Sequence, residues 1–529
     1  MTAAPTDESV SRTAAPSPAP PSPRPPGPAA AAWGLPLAVL ILGMFMAVLD
    51  ITIVNIAITN IRKDFGATIE DAQWISTAYG LTEGAVVPIS AWVGNRVGQK
   101  RLYVWSMALF TFFSLLCGFS TSLGEMIVFR VLQAIPGGMI PVTCIVLVYR
   151  MVPPAKIGAA MGLYGLGVSL APGVGPALGG YFVEYMSWPY IYWVNVPIGV
   201  LAVLAALYVL PTDHGKRGAP LDKAGFFTIV VGLFALLLAL EKGSTWGWGS
   251  YSVLGLFALG TNMIIIWVVI ELQVEHPLLN LRALGNIAFV KSLILIGVLF
   301  CGMFAMLFNV PQFLQAVQGK TPWQTGLITL PYALVIMVLM PIAGRIYDAI
   351  GSRWPAAIGM FLTGAGLFML AQMRPDTTVE HLIIAQCVVG LGLGLGMMPI
   401  MTGGLAALPP SMGDDGGALN TLFQRISQAF SIAVITALIN AKHAQFYADR
   451  AALMPSRGAN GDQALSQMAQ EGPRGLLGVW QQLNNEAQTL SFANGFLVAA
   501  VLVLAASLLA LTLPTGRPVA PDGQKPAAH

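Results

Sequence analysis

"PISAWVGNRVGQKR", residues 88–101, has a second copy at 341–354, "PIAGRIYDAIGSRW". Each copy opens on a proline (Pro88, Pro341). Seven residues on stands Asn or Asp (Asn95, Asp348), ten on a glycine (Gly98, Gly351), and two beyond that a basic residue (Lys100, Arg353). Gly94, Arg96 and Arg101 complete the first loop, and Gly344 belongs to the second. Each copy lies between two long apolar runs, so each reads as a short polar turn joining two hydrophobic segments. The shared spacing marks an internal duplication.

The rest of the chain agrees with that reading. Hydrophobic residues make up 56% of the 529, charged residues 10%, and mean hydropathy is +0.71, whereas a soluble domain carries roughly 25% charged residues. Runs of about 20 apolar residues recur, each long enough to cross a ~30 Å hydrocarbon core as a helix. The pattern predicts an all-α polytopic membrane protein with fourteen spans, at 34–58, 72–94, 103–123, 125–148, 157–182, 190–210, 224–241, 251–271, 287–310, 324–346, 354–372, 380–402, 416–440 and 492–513. An even number puts both ends on one side. With that side cytoplasmic, fifteen Lys and Arg fall inside and nine outside, as the positive-inside rule requires. Four of the nine belong to one long extracytoplasmic loop at 441–491.

The two copies stand 253 residues apart. Six-helix halves joined directly would repeat at a shorter offset, and the excess fits two inserted helices. The expected organisation is a six-helix bundle at 33–210, a linker at 211–285 with two further spans, and a second bundle at 286–514. Parallel halves of this kind are a transporter architecture, with the substrate site between them. Residues 1–32, rich in Pro, Ala and Ser, are expected to be a disordered cytoplasmic tail, and 515–529 a second tail. The first apolar run is too long for a signal-peptide core and is read as a retained span.

Charges inside the spans ask for an explanation, because a lone one costs at least ~2.5–3.5 kcal/mol at mid-membrane. Asp50 interrupts "FMAVLDITIVNIA" (45–57), Glu83 lies in "YGLTEGAVVPI" (79–89), and Arg130 in "EMIVFRVLQAIPGG" (125–138). At 1.5 Å per residue these three lie roughly 12, 15 and 8 Å below the outer surface. They fit either an ion pair orienting three helices or a proton site in which Asp50 or Glu83 titrates beside Arg130. Lys291 and Arg425 are the other cations at membrane depth. In "LNTLFQRISQAFS" the polar residues Asn420, Gln424, Gln428 and Ser431 fall on one helical face with Arg425 adjacent, as a cavity lining or a packed helix contact would require. Phe300, Phe304 and Phe308 form a comparable aromatic stripe.

Two look-alike motifs fail. "GKTP" (319–322) lacks the first Walker glycine, since position 314 is Leu, and lies on the predicted outer side. "GLGLGLGMMPI" (390–400) sits within a span with no strand before it, where glycines serve close helix packing. No nucleophile–base pair, paired histidines or disulfide framework is seen. The chain therefore reads as a non-enzyme, with no cofactor, no metal and no nucleic-acid partner, driven by an ion gradient.

Several motifs together resemble the major facilitator superfamily, and within it the fourteen-span drug:proton antiporters of the EmrB/QacA type, EmrB-like branch. "LDITIVNIAI" (49–58) resembles the span-1 signature with Asp50 and Asn55. "GNRVGQKR" (94–101) resembles the loop 2–3 motif, and "RVLQAIPGG" (130–138), with Gln133, the span-4 motif built around Arg130. "GVSLAPGVGPALGGYF" (167–182) resembles the span-5 exporter motif through Gly167, Pro172, Gly175, Pro176, Gly179 and Gly180, and "WVNVPIG" (193–199) follows it. Asn95 departs from the usual Asp and Thr59 from a common Pro. The resemblance implies export of hydrophobic or cationic toxic compounds in exchange for protons across the bacterial cytoplasmic (inner) membrane. A dedicated exporter of one metabolite, such as a siderophore, is the alternative. For a Gram-negative source the resemblance also implies a periplasmic adaptor and an outer-membrane channel.

Overall fold

The computed structural model describes residues 33–153, 156–212, 215, 221–275, 277–409, 412–452 and 473–514, and no strand occurs among them. Both expected tails lie outside the described residues. The helices are α1 Gly34–Asp64, α2 Ile69–Val97, α3 Gln99–Gly118, α4 Leu123–Met151, α5 Ile157–Tyr185, α6 Tyr190–Trp193, α7 Asn195–Val209, α8 Lys223–Trp246, α9 Tyr251–Gln273, α10 Ile287–Ala316, α11 Pro322–Ile350, α12 Arg353–Leu370, α13 Val379–Ala406, α14 Gly413–Ala452 and α15 Pro473–Ala510. Short α6 runs into α7, so among the described residues fifteen α-helices make fourteen crossing segments. Thirteen of these are long and apolar enough to cross a membrane. The exception is α2, diluted by Asp71, Glu83 and Arg96 on top of its hydroxyl residues.

Local chemistry sets the ends. Thr68, Ser122, Asp222, Ser250 and Thr378 cap α2, α4, α8, α9 and α13 by accepting a backbone N–H from the first turn. Thr321 and Gln324 form a reciprocal capping box on α11. The duplicated loop has a common backbone cause. Gly98 ends α2 at φ +95° and Gly351 ends α11 at φ +81°, a region that side chains disfavour. Because Gly98 turns the chain so abruptly, α3 starts at Gln99 and stops at Gly118, not at the expected 103–123. Lys100 and Arg101 thus belong to its first turn. Arg101 is exposed, while Lys100 donates to the carbonyls of Leu207 (2.8 Å) and Leu210 (2.7 Å) at the end of α7, where a cation is favoured.

A second correction concerns the long loop expected at 441–491. α14 spans 40 residues and α15 spans 38, about 60 Å each at the α-helical rise, so both run well past a ~30 Å core. Apart from 453–472, which lies outside the described residues, that segment is helical, and His443 meets Asn484 at 3.2 Å across the pair. The segment is polar, so the apolar run that marks a crossing helix ends before the helix does.

In a bilayer, lipid competes for apolar surface, so close backbone approach carries helix association. α5 shows this on two faces. Gly158, Gly162 and Gly173 meet Asp348 and Gly344, Met340 and Ala333 of α11, and Gly180 meets the start of α11 at Pro322 and Trp323. Gly167, Gly175 and Gly179 meet Ile41, Thr52 and Ile53 of α1. α5 thereby joins α1 to α11 along its whole length. The glycines of "GLGLGLG" behave similarly: Gly390 and Gly394 abut α11, while Gly392 and Gly396 abut Gly359 of α12. α8 packs on α2 and α14, and α9 packs on α8. An apolar groove of about 310 Å³ between α8, α9 and α14, lined by Leu236, Trp248, Phe257 and Phe430 among others, lies on this flank without polar groups.

Candidate functional site

The apolar run of α1 brings Asp50 to the middle of the N-terminal helices, where it is completely buried. Arg130 of α4, also buried, donates from Nη1 to Asp50 Oδ2 at 2.5 Å and to Gln133 Oε1 at 2.8 Å. Gln133 Nε2 donates to Asp50 Oδ1 at 3.2 Å, and Asn195 Nδ2 at the start of α7 donates to the same oxygen at 2.8 Å. Asn195 also donates to Ser114 of α3 at 3.1 Å. All three donors on Asp50 are N–H groups, which suit an acceptor-only carboxylate. The Arg130 guanidinium lies over the Tyr79 ring at 3.9 Å and near that of Tyr192 at 5.7 Å. One carboxylate thus holds α1, α4 and α7 together, with α2 and α6 stacked on its cation.

Glu83 takes a different partner. It is 2% exposed, and its Oε1 accepts from Nη2 of Arg425 on α14 at 2.5 Å. Arg425 is 18% exposed and also donates to Gln428 at 3.4 Å. The expected convergence of Asp50, Glu83 and Arg130 is therefore split into two ion pairs. Spans 1, 2 and 4 do meet, as α2 closes on α4 where Gly138 touches the Glu83 carbonyl. But the glutamate side chain points across to the second set of helices. Depth along each span was readable from the sequence; which face pointed where was not.

On the end bearing the duplicated loops the two sets of helices are clasped. Arg150 of α4 donates to Asp414 of α14 at 2.5 Å and to Asn95 at 3.2 Å. Asp348 accepts the backbone N–H groups of Gly158 and Ala159, each at 3.1 Å, at the start of α5. Gly417 faces Ile145 and Val146. Asn95 retains a contact with Arg150 although it cannot supply a charge. Arg96 lies over Trp92 at 5.2 Å, and Arg353 near Trp354 at 5.9 Å. The Gly94 backbone packs against the Gln99 side chain.

On the outer side of the Glu83–Arg425 pair, Gly80 of α2, about one turn from Glu83, is exposed, and so is Asn55 of α1, which accepts from Ser76 at 2.8 Å. The pair thus lies between this exposed polar surface and the clasp.

The remaining expected residues divide. Gln424, Arg425 and Gln428 are half-buried around the Glu83–Arg425 pair, whereas Asn420 is fully buried, accepts from Gln424, and Ser431 donates to Cys301 of α10 at 2.7 Å. The stripe is thus part half-buried polar surface and part helix contact. Phe304 packs on Phe300 at 6.1 Å against the core, and Phe308 is exposed at 37%. Lys291, one turn inside α10, reaches the Thr512 carbonyl at 3.4 Å, near the end of α15. Pro172 and Pro176 lie inside α5 without ending it. Sequence reasoning passed over Asn195, Tyr79, Arg150 and Asp414. Asn195 was readable as the polar residue inside "WVNVPIG", and Tyr79 as the residue one turn before Glu83. The pairing of Arg150 with Asp414 across 264 residues carries no local signal.

Buried charges held between spans, duplicated loops and two sets of helices joined by an ion pair and a clasp define a multi-pass membrane transporter. The Major Facilitator Superfamily profile matches residues 40–432, and the chain belongs to that family. It is 30% identical over 447 residues to the multidrug transporter protein MdtP of Bacillus subtilis, covering 83% of this chain and 82% of that one. It is 28% identical over 472 residues to the multidrug export protein EmrB of Escherichia coli, covering 88% and 92%. To the tetracenomycin C resistance and export protein of Streptomyces glaucescens it is 29% identical over 510 residues, 93% of each. The resemblance to the EmrB-like branch is borne out. Among solved structures, the proton:xylose symporter XylE superposes with TM-score 0.58 at 10% identity over 92% of this chain and 96% of that one, which shows the shared fold.

Proposed function

We propose that this transporter exports hydrophobic or cationic toxic compounds from the cytoplasm in exchange for protons, by alternating access. The observation that carries the reading is the Glu83–Arg425 ion pair, which joins the two sets of helices across α2 and α14. Such a pair must break for the sets to move apart. Proton transfer to Glu83 removes its charge and releases Arg425, so proton entry and helix movement become one event. The moving units are the divisions expected at 33–210 and 286–514, with the clasp opening as the outer side closes. A cationic compound arriving from the cytoplasm then favours the Glu83 carboxylate and expels the proton inward. One charge moved through 100 mV supplies ~2.3 kcal/mol.

Asp50 has a different part in this scheme. Its three donors all come from one set of helices, so as a carboxylate it ties that set together. Export of drugs by the relatives named above supports the substrate class. For a Gram-negative source, an adaptor and outer-membrane channel would meet the projecting α14–α15 pair.

Inverted vesicles with an acidic interior test the scheme. Adding ethidium to wild type should release protons and accumulate the dye. Glu83→Gln should abolish both while retaining exchange of labelled for unlabelled dye. Proton release that persists unchanged in Glu83→Gln would overturn the assignment.

A further inference from the structure

Tyr79 belongs to neither ion pair, yet it adjoins both. It stands one turn, about 6 Å, outward of Glu83 on the same face of α2. Its ring supports the Arg130 guanidinium at 3.9 Å. Its hydroxyl is buried and has no hydrogen-bond partner among the described residues, although buried hydroxyls are nearly always paired. A phenylalanine would stack on Arg130 equally well, so the cation contact does not account for the oxygen.

The position of that oxygen does. It lies beside Gly137, where a Cβ would come within 2.7 Å of it. One turn along α4 in one direction is Gln133, which donates to Asp50. The next residue in the other direction is Gly138, which touches Glu83. The charged groups in electrostatic reach of Tyr79 are Asp50 from α1, Glu83 from α2, Arg130 from α4 and Arg425 from α14. Phe110 of α3 faces the same space and is apolar, and Tyr192 of α6 lies on the far side of Arg130.

We propose that the Tyr79 hydroxyl relays a proton between Glu83 and the Asp50–Arg130 pair. The inference rests on the antiport reading. Protonated Asp50 gives its carboxyl proton to the Tyr79 oxygen, directly or through a water molecule, as the phenolic proton passes on to Glu83. Tyr79 is neutral before and after. Glu83 ends as a carboxylic acid that releases Arg425, and Asp50 ends as a carboxylate free to hold Arg130 again. Breaking the bond between the two sets of helices and re-forming the bond within the first are thereby a single proton movement.

The test uses the full chain in proteoliposomes, with ethidium as the probe and a pH-sensitive dye for protons. Tyr79→Phe keeps the ring and removes only the relay. It should slow proton-driven ethidium transport by at least roughly tenfold and flatten its pH profile, with ethidium affinity and dye-for-dye exchange near wild type. Tyr79→Leu, which also removes the ring, should lose affinity as well. A Tyr79→Phe protein with wild-type coupling and pH profile overturns the relay. So does a Tyr79→Phe protein that loses affinity as far as Tyr79→Leu, because the role is then packing. A wild type that moves no ethidium, or moves it without protons, overturns the antiport reading and the relay with it.

Discussion

Removing the Asp50 carboxylate while leaving Arg130 in place should be among the most destabilising single changes in the chain. Asp50 accepts from Arg130, Gln133 and Asn195, and both charged side chains are at most 1% exposed. Unit charges about 4 Å apart attract by roughly 4 kcal/mol at an effective dielectric of about 20. That agrees with the ~3–5 kcal/mol lost when one partner of a buried pair is deleted. Asp50→Leu should therefore destabilise by about that amount, since the guanidinium is left with the Gln133 and Ile75 oxygens and two aromatic faces. Adding Arg130→Met removes the stranded charge and should recover most of the loss. The assay is equilibrium unfolding in mixed micelles for both single variants and the double. The expected coupling energy is on the order of 3 kcal/mol. Additivity within about 0.5 kcal/mol, the behaviour of independent sites, would refute the view that this pair is one electrostatic unit.

Other consequences are as direct. A Gly175→Val side chain would meet Thr52 Oγ1 at 2.2 Å, two residues from Asp50, so it should cost about 1–3 kcal/mol by overpacking and impair transport, seen by thermal melting and dye efflux. Asp348→Asn weakens an anionic cap on α5 worth about 1 kcal/mol, which should raise the population opened at the clasped end about fivefold, measured by distances between spin labels on α4 and α14. Asp414→Asn should shift that population less, because Arg150 and Asp414 are 42% and 26% exposed and such pairs are worth ~0–1 kcal/mol. Gly98→Ala and Gly351→Ala should each cost about 1–3 kcal/mol at their positive φ and extended ψ, and similar melting shifts from the two would show that the duplicated glycines do the same job.

Much of the fold was legible because the bilayer imposes it. Runs of about 20 apolar residues can only be crossing helices, and the duplication at Pro88 and Pro341 set the two halves and the inserted hairpin. The site was legible as a set of residues but not as a set of pairs. Asp50 and Arg130 stand out in the sequence because charge is costly in hydrocarbon, whereas depth alone groups Glu83 with Arg130 and not with its partner Arg425. Its partner lies 342 residues away, and helical periodicity fixes a face only relative to its own helix. The projecting ends of α14 and α15 were missed for the opposite reason: polar helix beyond the membrane resembles loop to any apolar criterion.

In the proposed cycle Glu83 gains a proton when Arg425 lets go. Infrared difference spectra of the reconstituted protein, recorded between alkaline and acidic buffer, report that proton as a carboxylic-acid carbonyl band. That band should be present in wild type, discharged by adding ethidium, retained in Asp50→Asn and lost in Glu83→Gln. A band that survives in Glu83→Gln and disappears in Asp50→Asn would contradict it and place the exchanging proton on Asp50.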